Sequence, residues 1–173
     1  MTPSLFKKIC MLGDFAVGKT SLVRRYVDNQ FSDQYLSTIG VKLSRKQIRV
    51  YAANNIVHQL QLVLWDLEGK EDFSSTLSAH LRGASGAIVV GDQTRPETML
   101  NTRNHIHAFL SANPKAFVVV ACNKEDMRED SNALSLPSFE GHERVVLVQH
   151  TSAKTGNGVA QLFEALCKKL IGT

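Results

Sequence analysis

The segment that most constrains this chain is GDFAVGKT, from Gly13 to Thr20. It follows a short β-rich run, LFKKICML, and leads directly into a helical pattern over Lys19–Val27. The spacing G-x-x-x-x-G-K-T between a strand and a helix predicts a loop whose glycines let several backbone N–H groups turn inward and bind phosphate. The positive end of the helix adds to the attraction for anions. We expect Lys19 to reach the outer phosphates and the Thr20 hydroxyl to bind Mg²⁺. The residues expected at the phosphates are Phe15, Ala16, Val17, Gly18, Lys19, Thr20 and Ser21.

Strand-like and helical segments alternate along the rest of the chain. Two strand-like runs, SRKQIRVYAA and HQLQLVLWD, are joined by Asn54-Asn55, which favours a hairpin turn. Three short apolar runs, GAIVVGD, AFVVVACNK and RVVLVQH, predict strands buried on both faces of a mostly parallel sheet. Helical patterns cover Glu97–Ala112 and Gly158–Leu170. The segment Met127–His142 lacks a sustained period and indicates a long loop or a short helix.

This alternation predicts a doubly wound α/β fold of the P-loop NTPase type. We expect a mostly parallel six-stranded sheet with one antiparallel edge strand and with helices on both faces. At 173 residues the chain is expected to form one domain that spans residues 1–173.

Composition argues against several classes of protein. The net charge of +4 is spread along the chain, so no basic patch predicts nucleic-acid binding. Three widely spaced cysteines without a C-x-x-C pair argue against a disulfide framework and a zinc site, and they favour a reduced, cytoplasmic protein. No apolar run approaches the roughly 18 residues that a membrane-spanning helix needs. His105 and His107 lie two apart on a predicted helix and face different sides, which disfavours a metal-binding pair.

Two polar segments follow predicted strands and indicate which base is bound. Asn123-Lys124-Glu125-Asp126 comes after the run AFVVVAC, at the carboxyl end where open α/β sheets bind ligands. A carboxylate at Asp126 accepts two hydrogen bonds from the N1–H and exocyclic amine of guanine, whereas adenine would leave it unpaired. The segment TSAK follows the run RVVLVQH and offers a backbone N–H to guanine O6. The residues expected at guanine are Asn123, Lys124, Asp126, Ser152, Ala153 and Lys154.

In the order and spacing of these motifs the chain resembles the Ras superfamily of small GTPases, and within it the Rab branch. The Rab character comes from STIGVKL, from Trp65 before an aspartate, and from LRGASG at Leu81–Gly86. The resemblance implies binding of GTP and GDP with Mg²⁺. It also implies that Phe31 packs against the guanine edge and that Thr38 both binds Mg²⁺ and senses the γ-phosphate.

The same resemblance assigns the remaining roles at the phosphate end. The metal ligands that it implies are Thr20 and Thr38, with Asp66 acting through water. The residues that it places at the chemical step are Lys19, Thr38, Gly69 and, at an atypical position, Lys70.

The segment Asp66–Lys70, which corresponds to the second switch of that family, departs from the family pattern. Family members usually read D-T-A-G-Q, whereas this chain reads D-L-E-G-K from Asp66 to Lys70. Lys70 therefore replaces the glutamine that orients the attacking water, and a lysine side chain has no hydrogen-bond acceptor. Glu68 replaces a small residue, and we expect its carboxylate to point away from the phosphates.

Two further positions bear on hydrolysis. Phe15 stands where many relatives carry a small residue, and its bulk is expected to hinder an arginine supplied in trans. Tyr35 lies three residues before Thr38, where an arginine in cis would lie in the α subunits of heterotrimeric G proteins. The sequence thus offers neither the water-positioning glutamine nor an arginine finger at that position.

Two hypotheses follow for the function. One is a molecular switch that binds GTP and hydrolyses it slowly, and the other is a GTP-holding interaction module with negligible turnover. In both, we expect an effector, an exchange factor and a GTPase-activating protein to meet the surface formed by Thr38–Leu43 and Lys70–Arg82. The sequence ends at LCKKLIGT, where Cys167 does not form a C-a-a-X signal, so membrane association is expected only through a lipidated tail beyond this sequence.

Overall fold

The structure is a computed structural model, and it describes residues 4–52, 56–69, 75–129, 136–139 and 142–172. Strands and helices alternate in chain order as β1 (Leu5–Leu12), α1 (Lys19–Asp28), β2 (Val41–Tyr51), β3 (Val57–Leu67), α2 (Ser75–Leu81), β4 (Gly86–Asp92), α3 (Pro96–Ala112), β5 (Phe117–Asn123), β6 (Val145–His150) and α4 (Val159–Leu170). A short 3₁₀ helix, Glu125–Met127, follows β5. Within these ranges, no helix is both long and apolar enough to cross a lipid bilayer.

The six strands form one sheet in the order β2-β3-β1-β4-β5-β6. The pair β2–β3 is antiparallel and every other pair is parallel, which confirms the predicted α/β fold with an antiparallel edge strand. The central strand β1 pairs with β3 and β4, with Met11 opposite Asp66 and Leu12 opposite Val89. The loop after β1 therefore begins in the middle of the sheet, between the ends of two other strands.

Two apolar cores lie on opposite faces of the sheet. Alternate residues of the strands contact α1 and α4 on one face, where Leu22, Leu162 and Phe163 are buried. The intervening residues contact α2 and α3 on the other face, where Ile106 and Phe109 are buried. This confirms the prediction of helices on both faces, because each strand supplies side chains to both cores in turn.

The structure differs from the sequence predictions at two strands and one helix. The first strand of the antiparallel pair begins at Val41, three residues before the predicted run, because pairing with β3 continues to Leu67. The prediction that RVVLVQH is buried on both faces is wrong, since β6 is half-buried along its whole length. This strand lies at the edge of the sheet, where its outer side has no neighbouring strand among the described elements. The helix Ser75–Leu81 had no counterpart in the sequence prediction.

Some predictions fall on residues that the structure does not describe. The Asn54-Asn55 turn and Lys70 lie outside the described residues. The segment Met127–His142 lies partly outside them, and Met127 ends the 3₁₀ helix.

Candidate nucleotide site

A cavity of about 430 Å³ lies at the carboxyl edge of the parallel strands, where open α/β sheets bind their ligands. Most residues predicted from the sequence meet there, although their motifs lie far apart in the chain. The predicted residues that line it are Phe15, Ala16, Gly18, Lys19, Thr20, Ser21, Phe31, Thr38, Gly69, Asn123, Lys124, Asp126, Ala153 and Lys154.

Three other predicted residues lie behind this lining. Val17 is fully buried, and its backbone carbonyl accepts a hydrogen bond from Asn123 Nδ2. Asp66 and Ser152 are also buried, and each contacts a residue of the lining through its side chain. The structure therefore brings together the predicted residues that it describes, with some in the wall and some directly beneath it.

The loop after β1 turns sharply because of its glycines. Gly13 has a φ of +144°, and a Cβ there would lie 2.3 Å from the carbonyl oxygen of Val90. Gly18 has a φ of +103° and precedes α1, and a Cβ there would lie 2.3 Å from Asn123 Nδ2. Larger residues at either position would clash with the adjacent strand end or its polar side chain.

Every backbone carbonyl from Gly13 to Val17 accepts a hydrogen bond from a side chain. Lys19 Nζ donates to the first two, those of Gly13 and Asp14, at 2.8 Å each. The other donors to the loop are Arg95 to Phe15 (2.7 Å), Lys124 to Ala16 (2.9 Å) and Asn123 to Val17 (3.0 Å). A loop whose carbonyls are held by donors in this way can present its backbone N–H groups as an anion-binding nest.

Lys19 places a positive charge in this nest. The residue is 6% exposed, and the contacts described for its ammonium are to backbone carbonyls. Burial lowers the pKa of Lys19 to about 8, although the negative charges of Asp66 and Asp14 act in the opposite direction. An anion beside this ammonium would offset its desolvation.

Three oxygen-bearing side chains converge beside Lys19. Thr20 Oγ1 and Thr38 Oγ1 lie 2.6 Å apart, and Thr20 Oγ1 also donates to Asp66 Oδ2. Burial raises the pKa of Asp66, against the opposing effects of Thr20 and Lys19. Among the described residues, Asp66 Oδ1 is buried without a hydrogen-bond partner. Mg²⁺ prefers oxygen ligands such as hydroxyl and carboxylate groups, so these three side chains fit that ion. Asp66 Oδ1 could accept a hydrogen bond from a water bound to the metal.

The segment after β5 serves two parts of the cavity. Asn123 and Lys124 both donate hydrogen bonds to the loop after β1, residues 13–18, which we call the phosphate loop. Lys124 Nζ also contacts Asp92 Oδ2 at 2.7 Å. Asp126 is exposed in the lining and accepts a hydrogen bond from Ser152 Oγ at 2.5 Å. Asp126 is thus exposed in the cavity, whereas the side chains of Asn123 and Lys124 reach back to the loop.

Arg25 is a site residue that sequence analysis missed. It lies on α1, and it donates to the backbone carbonyls of Ala153 (2.8 Å) and Lys154 (2.6 Å). These bonds hold the segment after β6 against the cavity. The local sequence gave no signal for this role, because the partners are more than 120 positions away and an arginine on a helix is typical of an exposed face.

Gly69 approaches Lys19 and the loop after β1 very closely. A Cβ at this position would lie 2.6 Å from Lys19 Nζ and 2.7 Å from the carbonyl oxygen of Asp14. The neighbouring Glu68 is directed elsewhere, since its Oε2 accepts a hydrogen bond from the backbone N–H of Gly40 at 3.2 Å. The carboxylate thus contacts residues 35–40, which we call the first switch, in agreement with the expectation that it points away from the phosphates.

An aromatic contact joins the phosphate loop to the first switch. The rings of Phe15 and Tyr35 meet edge to face, with centroids 5.6 Å apart. Arg95 reinforces this corner, because its guanidinium binds both the Phe15 carbonyl and Asp92 Oδ2, the latter at 3.1 Å. Neither Tyr35 nor Arg95 was assigned to this contact from the sequence.

Comparison with known proteins gives one consistent result. The sequence model of the Ras family matches residues 8–172. The GTP-binding protein ypt5 of Schizosaccharomyces pombe is 34% identical over 167 residues, which cover 95% of this chain and 77% of that protein. The Ras-related protein Rab-4 of Dictyostelium discoideum is 32% identical, with 93% of this chain and 77% of that protein covered. The Ras-related protein Rab-21 of Homo sapiens is 31% identical, with 96% and 72% covered. The chain therefore belongs to the Ras family, as a Rab-like small GTPase.

Proposed function

We propose that residues 1–173 form one guanine-nucleotide-binding domain that acts as a molecular switch. The observation that carries this proposal is the arrangement around the phosphate loop. Its carbonyls are held by side chains, while Lys19 and the start of α1 supply positive charge at the lining of a cavity that also contains Asp126. Such a cavity has charge and hydrogen-bond donors for a phosphate chain at one end and a carboxylate for a base at the other.

The phosphates would be bound by the loop from Phe15 to Ser21. Its backbone N–H groups and the Lys19 ammonium provide charge-assisted hydrogen bonds. Thr20, Thr38 and Asp66 would hold Mg²⁺, with Asp66 acting through water, and the ion would neutralise charge on the outer phosphates. The short contacts among these three side chains support this assignment, because a metal ligand set needs its oxygens close together.

Guanine would be selected at the other end of the cavity. Asp126 would accept hydrogen bonds from the N1–H and exocyclic amine of the base, and Phe31 would pack against its edge. The Asp126–Ser152 and Arg25–Ala153 hydrogen bonds support this role, because they hold the two base-binding segments in fixed positions. The backbone around Ala153 and Lys154 would serve guanine O6.

Switching would rest on Thr38 and Gly69, which border the phosphate end from two different segments. A γ-phosphate would draw in the Thr38 hydroxyl and the backbone N–H of Gly69, and so order both switch segments. An effector, an exchange factor and a GTPase-activating protein would meet Thr38–Leu43 and Lys70–Arg82. The exposure of Ile39 (87%) and Leu43 (53%) supports this surface, since exposed apolar side chains favour partner binding.

We further propose that hydrolysis is slow. The reaction needs an attacking water that is oriented by an acceptor, and the Lys70 side chain has none. The Phe15–Tyr35 contact would also narrow the access of an external arginine to the phosphates. The same two features favour the second candidate function, which is a GTP-holding interaction module with negligible turnover.

The proposed binding function is tested by identifying the nucleotide that remains bound after purification and by measuring affinities in Mg²⁺. We expect GDP or GTP to be released on denaturation, and we expect GDP to bind far more tightly than ADP. Equal affinity for GDP and ADP would contradict the assignment of Asp126 to guanine.

A further inference from the structure

The phosphate loop carries a carboxylate close to where the proposed ligand carries several negative charges. The backbone carbonyl of Asp14 accepts a hydrogen bond from Lys19 Nζ at 2.8 Å. That carbonyl oxygen also lies 2.7 Å from where a Cβ of Gly69 would be. The main chain of Asp14 is therefore at the phosphate end, and a carboxylate pointing the same way would repel the nucleotide.

The side chain of Asp14 is instead held against α3. Its Oδ1 accepts a hydrogen bond from Asn101 Nδ2 at 2.6 Å and lies 2.7 Å from His105 Nε2. The side chains of His105 and Asp14 are only 3% and 10% exposed. The two partners lie one helical turn apart, so they converge on the same oxygen from one face of the helix.

The direction of the histidine hydrogen bond follows from the chemistry of its acceptor. Desolvation lowers the pKa of His105, although the hydrogen bond to Asp14 and its negative charge act in the opposite direction. Because an ionised carboxylate only accepts hydrogen bonds, His105 Nε2 carries the proton and donates it.

The orientation of Asn101 is also fixed. Its Oδ1 accepts a hydrogen bond from Asn104 Nδ2 at 2.6 Å, so its own amide nitrogen faces Asp14. The carboxylate thus meets two oriented donors on α3. Asp14 is buried and is absent from the residues that line the cavity, so its side chain is held out of the lining.

We propose that His105 and Asn101 are positioning residues that hold the Asp14 carboxylate on α3 and out of the phosphate site. This inference rests on the proposed nucleotide site and adds the residues that keep a negative charge away from it. Without these donors the buried carboxylate loses its partners. It then turns toward the Lys19 ammonium, where it competes with phosphate.

The first test compares GDP affinities in Mg²⁺, measured by titration with a fluorescent GDP analogue. His105→Phe keeps a ring but removes the donor, and we expect roughly a tenfold loss of affinity from uncompensated charge. His105→Gln places an amide donor near the position of Nε2 and is expected to stay within about twofold of the parent. His107→Phe is the matched control, because His107 is exposed on the same helix and should not alter binding.

A second set of variants separates charge from packing. Asp14→Asn removes the charge that needs to be held, so His105→Phe/Asp14→Asn is expected to recover most of the affinity that His105→Phe loses. A histidine that only filled space in the core would show no such recovery. Asn101→Ala removes the other donor from a half-buried position, and we expect a smaller loss that Asp14→Asn also reverses.

The outcomes are distinguishable. Parent-like affinity in both His105→Phe and Asn101→Ala would overturn the inference, and so would a double variant as weak as the single one. If His105→Phe does not fold, the GDP affinities of Asn101→Ala and of Asn101→Ala/Asp14→Asn are compared instead. Failure of the proposed function appears differently, since the parent and His107→Phe would then both leave GDP unbound.

Discussion

The phosphate loop and the first switch border the same cavity but are held in very different ways. Each carbonyl from Gly13 to Val17 is bound by a side chain, and Lys19 and Val17 are almost completely buried. The first switch, by contrast, exposes Leu36 (65%) and Ile39 (87%). The described contacts that join it to the rest of the site are few, and they include those of Thr38, Tyr35 and Gly40.

This difference agrees with the proposed switch, in which one segment binds the nucleotide and another signals its presence. A preorganised loop binds its ligand without a further ordering cost, whereas a segment with few contacts has low local stability and can report the ligand by becoming ordered. Substitutions in the rigid part should therefore change affinity strongly. Substitutions in the first switch should change the rates of nucleotide dissociation and hydrolysis more than nucleotide affinity.

The largest effect is expected at Asp126, at the base end of the proposed nucleotide site. Asp126→Asn replaces an acceptor of two hydrogen bonds, so GDP affinity should fall by roughly a thousandfold. Affinity for the xanthine nucleotide should rise, because the 2-oxo group of xanthine accepts the hydrogen bond that an asparagine amide donates. Competition binding with the two nucleotides measures both changes. Glu125→Gln is the neighbouring control, and a similar loss there would contradict a specific role for Asp126.

The next largest effect is expected at Lys19. Lys19→Ala removes a buried ammonium from the phosphate site, and affinity for GTP should fall by roughly a hundredfold through loss of charge-assisted hydrogen bonds. Lys169→Ala removes an exposed lysine from α4 and should have no effect. Calorimetric titration in Mg²⁺ checks both variants. Unchanged GTP affinity in Lys19→Ala would mean that this loop does not bind the phosphates.

These two predictions depend on parts of the site that the sequence could indicate. The spacing of Gly13–Thr20 and the position of Asp126 after an apolar run are local patterns with a physical cause, and the parallel sheet brings strand ends together. The roles of Arg25 and Arg95 could not be predicted in this way. Their acceptors are backbone carbonyls 128 and 80 positions away, which leave no trace in residue type.

The fold also divides into elements that a local sequence pattern predicts and elements that depend on distant parts of the chain. Apolar runs predicted β4 and β5 because both faces of these strands are buried. A similar run misled the prediction for β6, since half-burial at a sheet edge depends on strand order and not on the strand's own residues. Short α2, with Leu81 as its only residue described as buried, carries too weak a periodic pattern to be found alone.

A smaller effect on GDP affinity is expected from a change of pH, through the titration of Lys19, which directly follows the phosphate loop. The pKa of Lys19 is about 8, below its ordinary value because of burial, so the ligand-free protein loses this proton as pH rises through 8. Phosphate binding needs the ammonium, so GDP affinity should be constant below this pH and should fall by up to about tenfold per unit above it. Lys19→Arg retains its charge and should show a flat profile to pH 9. An equal slope in both proteins would exclude Lys19 as the titrating group.

The smallest effect is expected at the contact between the two regions. Phe15→Ala removes the edge-to-face contact with Tyr35 and should speed GDP dissociation by roughly two- to fivefold, in line with the energy of one aromatic pair. Phe6→Ala is the control, because Phe6 is 75% exposed on β1 and lies outside the cavity lining. Stopped-flow release of a fluorescent GDP analogue measures both rates. An unchanged rate in Phe15→Ala would show that the aromatic pair does not retain the nucleotide.

The central claim is that this site binds GTP tightly but hydrolyses it slowly. Its most direct test is the single-turnover rate of GTP hydrolysis, measured for the parent and for Lys70→Gln. We expect a parent rate at or below roughly 10⁻⁴ s⁻¹, the scale of an unassisted small GTPase, because Lys70 offers the attacking water no acceptor. Lys70→Gln should raise that rate several-fold and leave GTP affinity unchanged. A parent that hydrolyses GTP as fast as an arginine-assisted switch would contradict the account, since another residue would then have to orient the water.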